Sequence, residues 1–203
     1  MAVPHLGFRL AASPDRLFPA EITHQLHTKI IAKNIHYYDS LPSTMDAAHI
    51  LGMQNAPEGS VVVAESQTKG RGRMGRSWHS PKNKGIYLSL ILRPKIPPNE
   101  TPVLTLLSAV SICEAIQAAC ALEAKIKWPN DIFLQHKKIA GILTELQAEM
   151  DTTRFVVIGI GLNVNNDKNS LIPQASSLKE HKKQPVSRLR LLQEILRRIE
   201  ANY

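Results

Sequence analysis

Apolar residues along this chain follow two periods, and the switches between them mark its elements. Short runs of β-branched and aliphatic residues read as strands at 34–39, 61–64, 85–93, 137–146 and 155–165. A further strand over 125–134 is interrupted by Trp128-Pro129 and a turn through Asn130-Asp131. Residues 86–92 are too apolar to be open on either face, whereas 137–146 alternates in polarity. A helical period appears over 43–54, over 102–122 and over 186–203. In 102–122 the predicted buried stripe is Val103, Leu106, Leu107, Val110, Cys113, Ile116 and Gln117. In 186–203 it is Leu189, Leu192, Ile195, Leu196 and Ile199. Pro19 opens a short helix whose His24 and His27 are expected to be ordinary surface residues rather than metal ligands.

Strands in hairpin succession with a long helix interposed predict an α+β fold, a mixed, mostly antiparallel sheet with helices on one face. Residues 1–35 read as an N-terminal appendage, with a strand ending over 7–10 and a break at Ser13-Pro14. Residues 36–203 form the main domain. No internal repeat and no low-complexity tract appears.

Composition narrows the class. The chain has 203 residues, 43% of them hydrophobic, enough for a proper core. No apolar run reads as long enough to cross a membrane, and the N-terminus lacks the charged and apolar regions of a signal peptide. Net charge is +8 and the isoelectric point about 9.6, which suits nucleic acid, an anionic ligand or an acidic partner. Cys113 and Cys120, seven residues apart on a helix, stand about 10 Å apart, too far for a disulfide. Free thiols fit a cytoplasmic setting.

One loop carries the chemistry. Between the strands at 61–64 and 85–93 runs Gln67-Thr-Lys-Gly-Arg-Gly-Arg-Met-Gly-Arg-Ser-Trp78. Gly70, Gly72 and Gly75 let the backbone turn sharply and approach a ligand. Lys69, Arg71, Arg73 and Arg76 offer cations, the arginines as planar forks for phosphate or carboxylate oxygens. Trp78 offers a flat face for a heterocycle. The glycines fit G-x-G-x-x-G, but no helix opens behind them, so this is no dinucleotide fingerprint, and no Gly-Lys-Ser/Thr makes it a P-loop. Ser43 and Thr44 stand at a strand-to-helix corner. With Asp46 three residues on, local sequence favours Ser43 as a helix cap in a capping box, and a ligand contact is the alternative. Lys127 reads as an edge charge and Trp128 as a core aromatic. Lys138 stands at a strand start beside the room left by Ala140 and Gly141. Asn163 either reaches a ligand edge or caps its strand.

Four motifs in order, Ser43-Thr44, Gly70 to Trp78, Lys127 to Asp131 and Lys138 to Gly141, resemble the catalytic domain of the biotin protein ligases (biotin–[acetyl-CoA-carboxylase] ligases). Gly159 to Asn163 is a fifth, weaker match, and the resemblance covers about residues 36–203. It implies a sheet-and-helix core related to class II aminoacyl-tRNA synthetases. The implied activity joins biotin to the α-phosphate of ATP, with Mg²⁺, and passes it from biotinyl-5′-AMP to one lysine of a biotin carboxyl carrier protein. By similarity, Ser43, Thr44 and Gln67 hold the ureido ring, and Arg71, Gly72 and Arg73 the biotin tail and adenylate linkage. Lys138 reaches the carboxylate and α-phosphate, acting catalytically with Arg73. Arg76, Trp78, Lys127, Asn130, Asp131 and Asn163 serve the nucleotide, with Asp131 on the Mg²⁺ side. The sequence departs from the pattern at Met45, where Asn often follows the Ser-Thr pair.

Two alternatives stay open: a lipoate-type or other acyl-adenylate ligase on the same fold, and a fragment of a DNA-binding, biotin-responsive regulator. Residues 1–35 are too short for a winged helix but resemble the tail of one, so DNA is not expected as a partner. A homodimer is left open. Family members normally continue into a small SH3-like domain. Its lack here is expected to weaken ATP binding and carrier transfer, and to leave the stripe from Leu189 to Ile199 half-covered. The loop at 69–78, with little to bury of its own, is expected to order only when ligand arrives.

Overall fold

The computed structural model describes residues 15–203, together with the backbone of two short paired strands, β1 (Ala2–Val3) and β2 (Gly7–Phe8). The strand expected over 7–10 meets β2 in part. Arg9, Leu10 and the Ser13-Pro14 break lie outside the described residues.

The main sheet has seven strands: β3 (Ile35–Tyr38), β4 (Val61–Ala64), β5 (Gly85–Leu92), β6 (Lys125–Lys127), β7 (Asp131–Leu134), β8 (Lys137–Glu149) and β9 (Thr152–Asn163). Their order is β3-β4-β5-β9-β8-β7-β6, and every neighbouring pair is antiparallel except β3 with β4. Parallel neighbours need a crossover, and the helix α2 (Thr44–Met53) supplies it. The remaining helices are α1 (Pro19–Thr23), α3 (Pro102–Cys120), α4 (Leu178–Lys182) and α5 (Arg188–Asn202).

Strand period two divides the apolar runs between two cores. Ile86, Leu88, Leu90 and Leu92 of β5, with Val156, Ile158, Ile160 and Leu162 of β9, pack in the larger core with residues of α3 and α5. Ile91, Phe155, Val157, Val62 and Ala64 point the other way, onto Met45 and Ala48 of α2. The α+β class and the mixed, mostly antiparallel sheet stand as expected. The helices are not confined to one face, because a strand buried on both sides requires cover on both.

Three further expectations change. The buried stripe of α3 is Leu104, Ser108, Ala109, Ser111, Ile112, Ala115, Ile116 and Cys120, while Val103, Leu106, Val110 and Gln117 are exposed. Its apolar residues run nearly all round, so periodicity gave no phase. Ser108 and Ser111 can be buried because their hydroxyls donate to the carbonyls of Leu104 (2.8 Å) and Leu107 (2.9 Å). The segment Pro98–Cys120, which contains this helix, is long and apolar enough to cross a membrane by length and composition, contrary to expectation. Its buried face instead joins the common core with α5 and the sheet. On α5, Leu191, Leu192, Ile195, Leu196 and Ile199 are fully covered, not half-covered, with Leu189 at the margin.

From residue 15 onward the N-terminal segment enters the same core through Leu17, Ile22, Leu26 and Ile31. His24 and His27 are exposed, as expected. The segment is tied down by a buried ion pair. Arg188, with no exposed surface, donates to Glu65 Oε2 at 2.7 Å and to the Gly85 carbonyl at 3.1 Å. It also binds the carboxylate and carbonyl of Asp15. Glu65, equally buried, accepts the Leu17 N–H at 2.8 Å. Cys113 and Cys120 are free. Burial pushes the Cys113 thiol up to about 11, so it stays protonated and unreactive near neutrality.

Candidate functional site

The cleft follows from where α2 ends its cover. Odd-numbered positions from Gly141 to Glu145 of β8 and from Phe155 to Gly161 of β9 face the α2 side of the sheet, and three of them, Gly141, Gly159 and Gly161, have no side chain. They leave a hollow that other elements enter. A Cβ on Gly159 would collide with Met45 Sδ of α2. A Cβ on Gly161 would stand 2.5 Å from Cε2 and Nε1 of Trp78, and one on Gly141 3.1 Å from its Cζ3. The room expected beside Lys138 is therefore filled by the indole of the Gly/Arg loop. Ala140 points into the core instead.

One wall is neutral and hydrogen-bonded. The Thr44 N–H and hydroxyl both donate to Gln67 Oε1, at 2.8 and 3.0 Å. Ser89 donates to Thr44 Oγ1 at 2.9 Å, and Gln67 Nε2 donates to Ser80 Oγ at 2.9 Å. This chain fixes the Gln67 amide, which has no preferred direction of its own. Ser43 precedes α2, but its side chain makes no capping bond. Its Oγ is buried without a partner, behind the residues that line the cleft. The capping-box reading fails because Asp46 turns outward to Arg71. A buried hydroxyl without a partner costs about 1–3 kcal/mol, and such a group is a natural place for a ligand contact.

The loop lies across the cleft. Gly70 is needed for close approach, since a Cβ there would press on Ser80 Oγ (2.9 Å) and Gln67 Nε2 (3.0 Å). Met74 (φ 55°) and Gly75 (φ 73°) form a left-handed apex reaching solvent, with Met74 90% exposed. The loop has anchors without ligand, contrary to the expectation of little to bury. Trp78 sits on the glycine floor, Arg73 donates to Asn130 Oδ1 at 2.9 Å, and Arg71 bonds to Asp46 and Glu145. Arg71, Gly72 and Arg73 line the cleft. Arg76 and Lys69 are exposed and outside it.

The cationic end gathers Lys138, Arg73 and Asn130. Lys138 Nζ is 2.7 Å from Asp131 Oδ1, an electrostatic pair rather than a well-directed hydrogen bond, and 5.4 Å from the Trp78 ring centre. The Lys138 backbone is pinned to a second segment, its N–H on the Gln174 carbonyl and its carbonyl accepting the Ser176 N–H. Asn130 Nδ2 donates to the Ile142 carbonyl at 2.9 Å, orienting the amide that holds Arg73. Asp131 stands behind the lysine; its carboxylate is committed to Lys138. Among the described residues no group of three His, Cys, Asp or Glu gathers to hold a metal.

Besides Ser43 and Asp131, which stand behind its lining, three expected residues are not brought into the cleft. Lys127 is exposed and lies 5.0 Å from the Phe133 ring. Asn163 is buried, and its amide donates to the Ser176 carbonyl at 3.1 Å. It holds the strand end, so the capping alternative describes it. Arg76 is the third. Trp128, expected in the core, is 81% exposed beyond a cis peptide to Pro129. With Val103, Leu106 and Leu146 it borders a second, apolar hollow that shares Arg73 and Asn130 with the cleft. Sequence reasoning passed over Ser80, Ser89 and Glu145, for which no local signal existed, and gave Asp46 only to a helix cap.

The chain is similar to known proteins in sequence and in fold. A model of the biotin/lipoate A/B protein ligase family matches residues 37–163. The chain is 46% identical over its whole length to the bifunctional ligase/repressor BirA of Bacillus subtilis, of which it spans 63%. It is 33% identical over 81% of its length to the human biotin–protein ligase, spanning 24% of that protein. Among solved structures it resembles the Aquifex aeolicus biotin protein ligase in complex with biotin and ATP. That match has a TM-score of 0.71 at 35% identity, over 84% of this chain and 70% of that one.

Proposed function

The chain belongs to the biotin/lipoate A/B protein ligase family, and we propose that it activates biotin with ATP as biotinyl-5′-AMP and transfers it to a lysine of a biotin carboxyl carrier protein in the cytoplasm. The observation that carries this reading is the polarity of the cleft. It has a neutral wall of fixed hydrogen-bonding groups at Thr44 and Gln67, and cations at Lys138 and Arg73 at the other end. A neutral ring with a carboxylate-bearing tail matches that gradient.

In the first step a biotin carboxylate oxygen attacks the α-phosphorus, the bond to the bridging oxygen breaks, and pyrophosphate leaves. Both reactants are anions, so bringing them together needs fixed positive charge. Lys138 supplies it at the carboxylate and α-phosphate, and Arg73, aimed by Asn130, supports the linkage. Ser43, Thr44 and Gln67 take the ureido group, and Gly72 gives its backbone to the tail. Trp78 packs on the adenylate. In the second step the ε-amine of the acceptor lysine attacks the acyl carbon, loses a proton, and AMP departs. Mg²⁺ arrives with ATP as part of the substrate, ligated mainly by phosphate oxygens and water.

The test is incubation with ATP, Mg²⁺ and labelled biotin, reading pyrophosphate release and biotinyl-AMP. Turnover with biotin and none with lipoate is expected. Equal turnover with lipoate, or none with biotin, overturns the reading.

A further inference from the structure

We propose that Asp46 and Glu145 are positioning residues that clamp the Gly/Arg loop over the cleft through Arg71. Arg71 Nη1 donates to Asp46 Oδ1 at 2.6 Å and to Glu145 Oε2 at 3.3 Å, and its Nη2 donates to Glu145 Oε1. Asp46 stands in the first turn of α2 and Glu145 on β8, so one guanidinium from the loop joins two separate elements that flank the cleft. Trp78 and Arg73 fasten the rest of the loop, to the floor and to Asn130.

Charge and exposure both fit a reversible clamp. One cation between two carboxylates leaves a net negative charge, so the clamped Arg71 is no receptor for an anionic tail. That task falls to Lys138 and Arg73. The three side chains are 41%, 52% and 29% exposed. Ion pairs this wet are individually weak. A planar fork shared by two carboxylates gains geometric definition while ordering fewer side chains than two separate pairs would. A closure that must open for every substrate needs that scale of interaction, strong enough to bias the loop and weak enough to release. Resting on the function proposed above, the clamp would retain the mixed anhydride and keep water from it until an acceptor lysine arrives.

The test uses Asp46→Asn, Glu145→Gln and the double variant of the whole chain. The first readout is amide hydrogen exchange at 69–78 without ligand. Exchange is expected to be about 2- to 5-fold faster in each single variant, the scale of one exposed pair, and faster still in the double variant. Raising salt should speed exchange in the wild type and leave the double variant unchanged, a response that a merely structural role would not produce. Unchanged exchange in the double variant overturns the clamp, whether or not biotinyl-AMP is ever formed. The second readout is escape of preformed biotinyl-AMP into solution, expected to rise by a similar factor. Faster exchange with unchanged escape overturns the retention role. A wild type that forms no biotinyl-AMP defeats the proposed function instead, and exchange alone then judges the clamp.

Discussion

Replacing Lys138 by alanine separates the chemistry of the cleft from its architecture. The Nζ stands 2.7 Å from Asp131 with 30% and 26% of the two side chains exposed. Losing a pair in that half-wet setting costs at most about 1 kcal/mol of stability. In a domain of this size that lowers the melting temperature by about 2–4 °C. The same ammonium lines the cleft and is the fixed charge assigned above to the proposed reacting groups, where no solvent reorganisation can replace it at the moment of reaction. Removing one preorganised group of that kind costs about 10²–10³ in rate, or about 2.7–4 kcal/mol at the transition state. The two effects thus differ by at least 1.5 kcal/mol or so. Single-turnover formation of biotinyl-AMP, measured beside a thermal melt, resolves them. Asp131→Asn provides the counter-experiment, because it keeps the ammonium and loses only its tether. That variant should melt like Lys138→Ala but retain most of the adenylation rate. Adenylation by Lys138→Ala within threefold of wild type, or an equal loss in both variants, would refute the assignment.

Three other outcomes are expected. Glu65→Ala strands the buried Arg188 guanidinium and should cost about 3–5 kcal/mol in denaturant unfolding; a loss under 1 kcal/mol would mean that water reaches Arg188. Ser43→Ala removes a hydroxyl with no protein partner, so stability should hold while biotin affinity, read by calorimetry, falls about tenfold, the worth of one hydrogen bond. Lys179 and Lys84 hold the Asp167 carboxyl down at about 2. A depressed carboxylate stabilises the fold above its unfolded value near 3.9 and loses that contribution as pH falls from about 4 to 2. Asp167→Asn should flatten that part of the acid unfolding curve, and an unchanged curve would show the lysine contacts to be idle.

Local sequence was sufficient for much of this protein. Each strand and each long helix appears where hydrophobic period and Gly/Pro punctuation put it, because strand and helix formation depend on neighbours within a few residues. The chemistry of the loop was legible for the same reason: three glycines, four cations and a tryptophan in one short segment have few uses. Direction was not legible. Val103, Leu106 and Val110 looked like the buried stripe of α3, yet small Ser108, Ala109 and Ala115 took it, since a helix apolar all round finds its phase only from its neighbours. Trp128, apolar by type, lies outside, and Arg188, charged by type, lies wholly inside, because Glu65 and Asp15, distant in sequence, wait there for it. Lys127, Arg76 and Asn163 share motifs with cleft residues but not the cleft, since a motif fixes spacing along the chain and not the side of the strand or loop on which a side chain falls. Arg71 meets Glu145, 74 residues away, through sheet order alone. Interactions of that range depend on which strands lie side by side, and that is decided when all seven are packed at once.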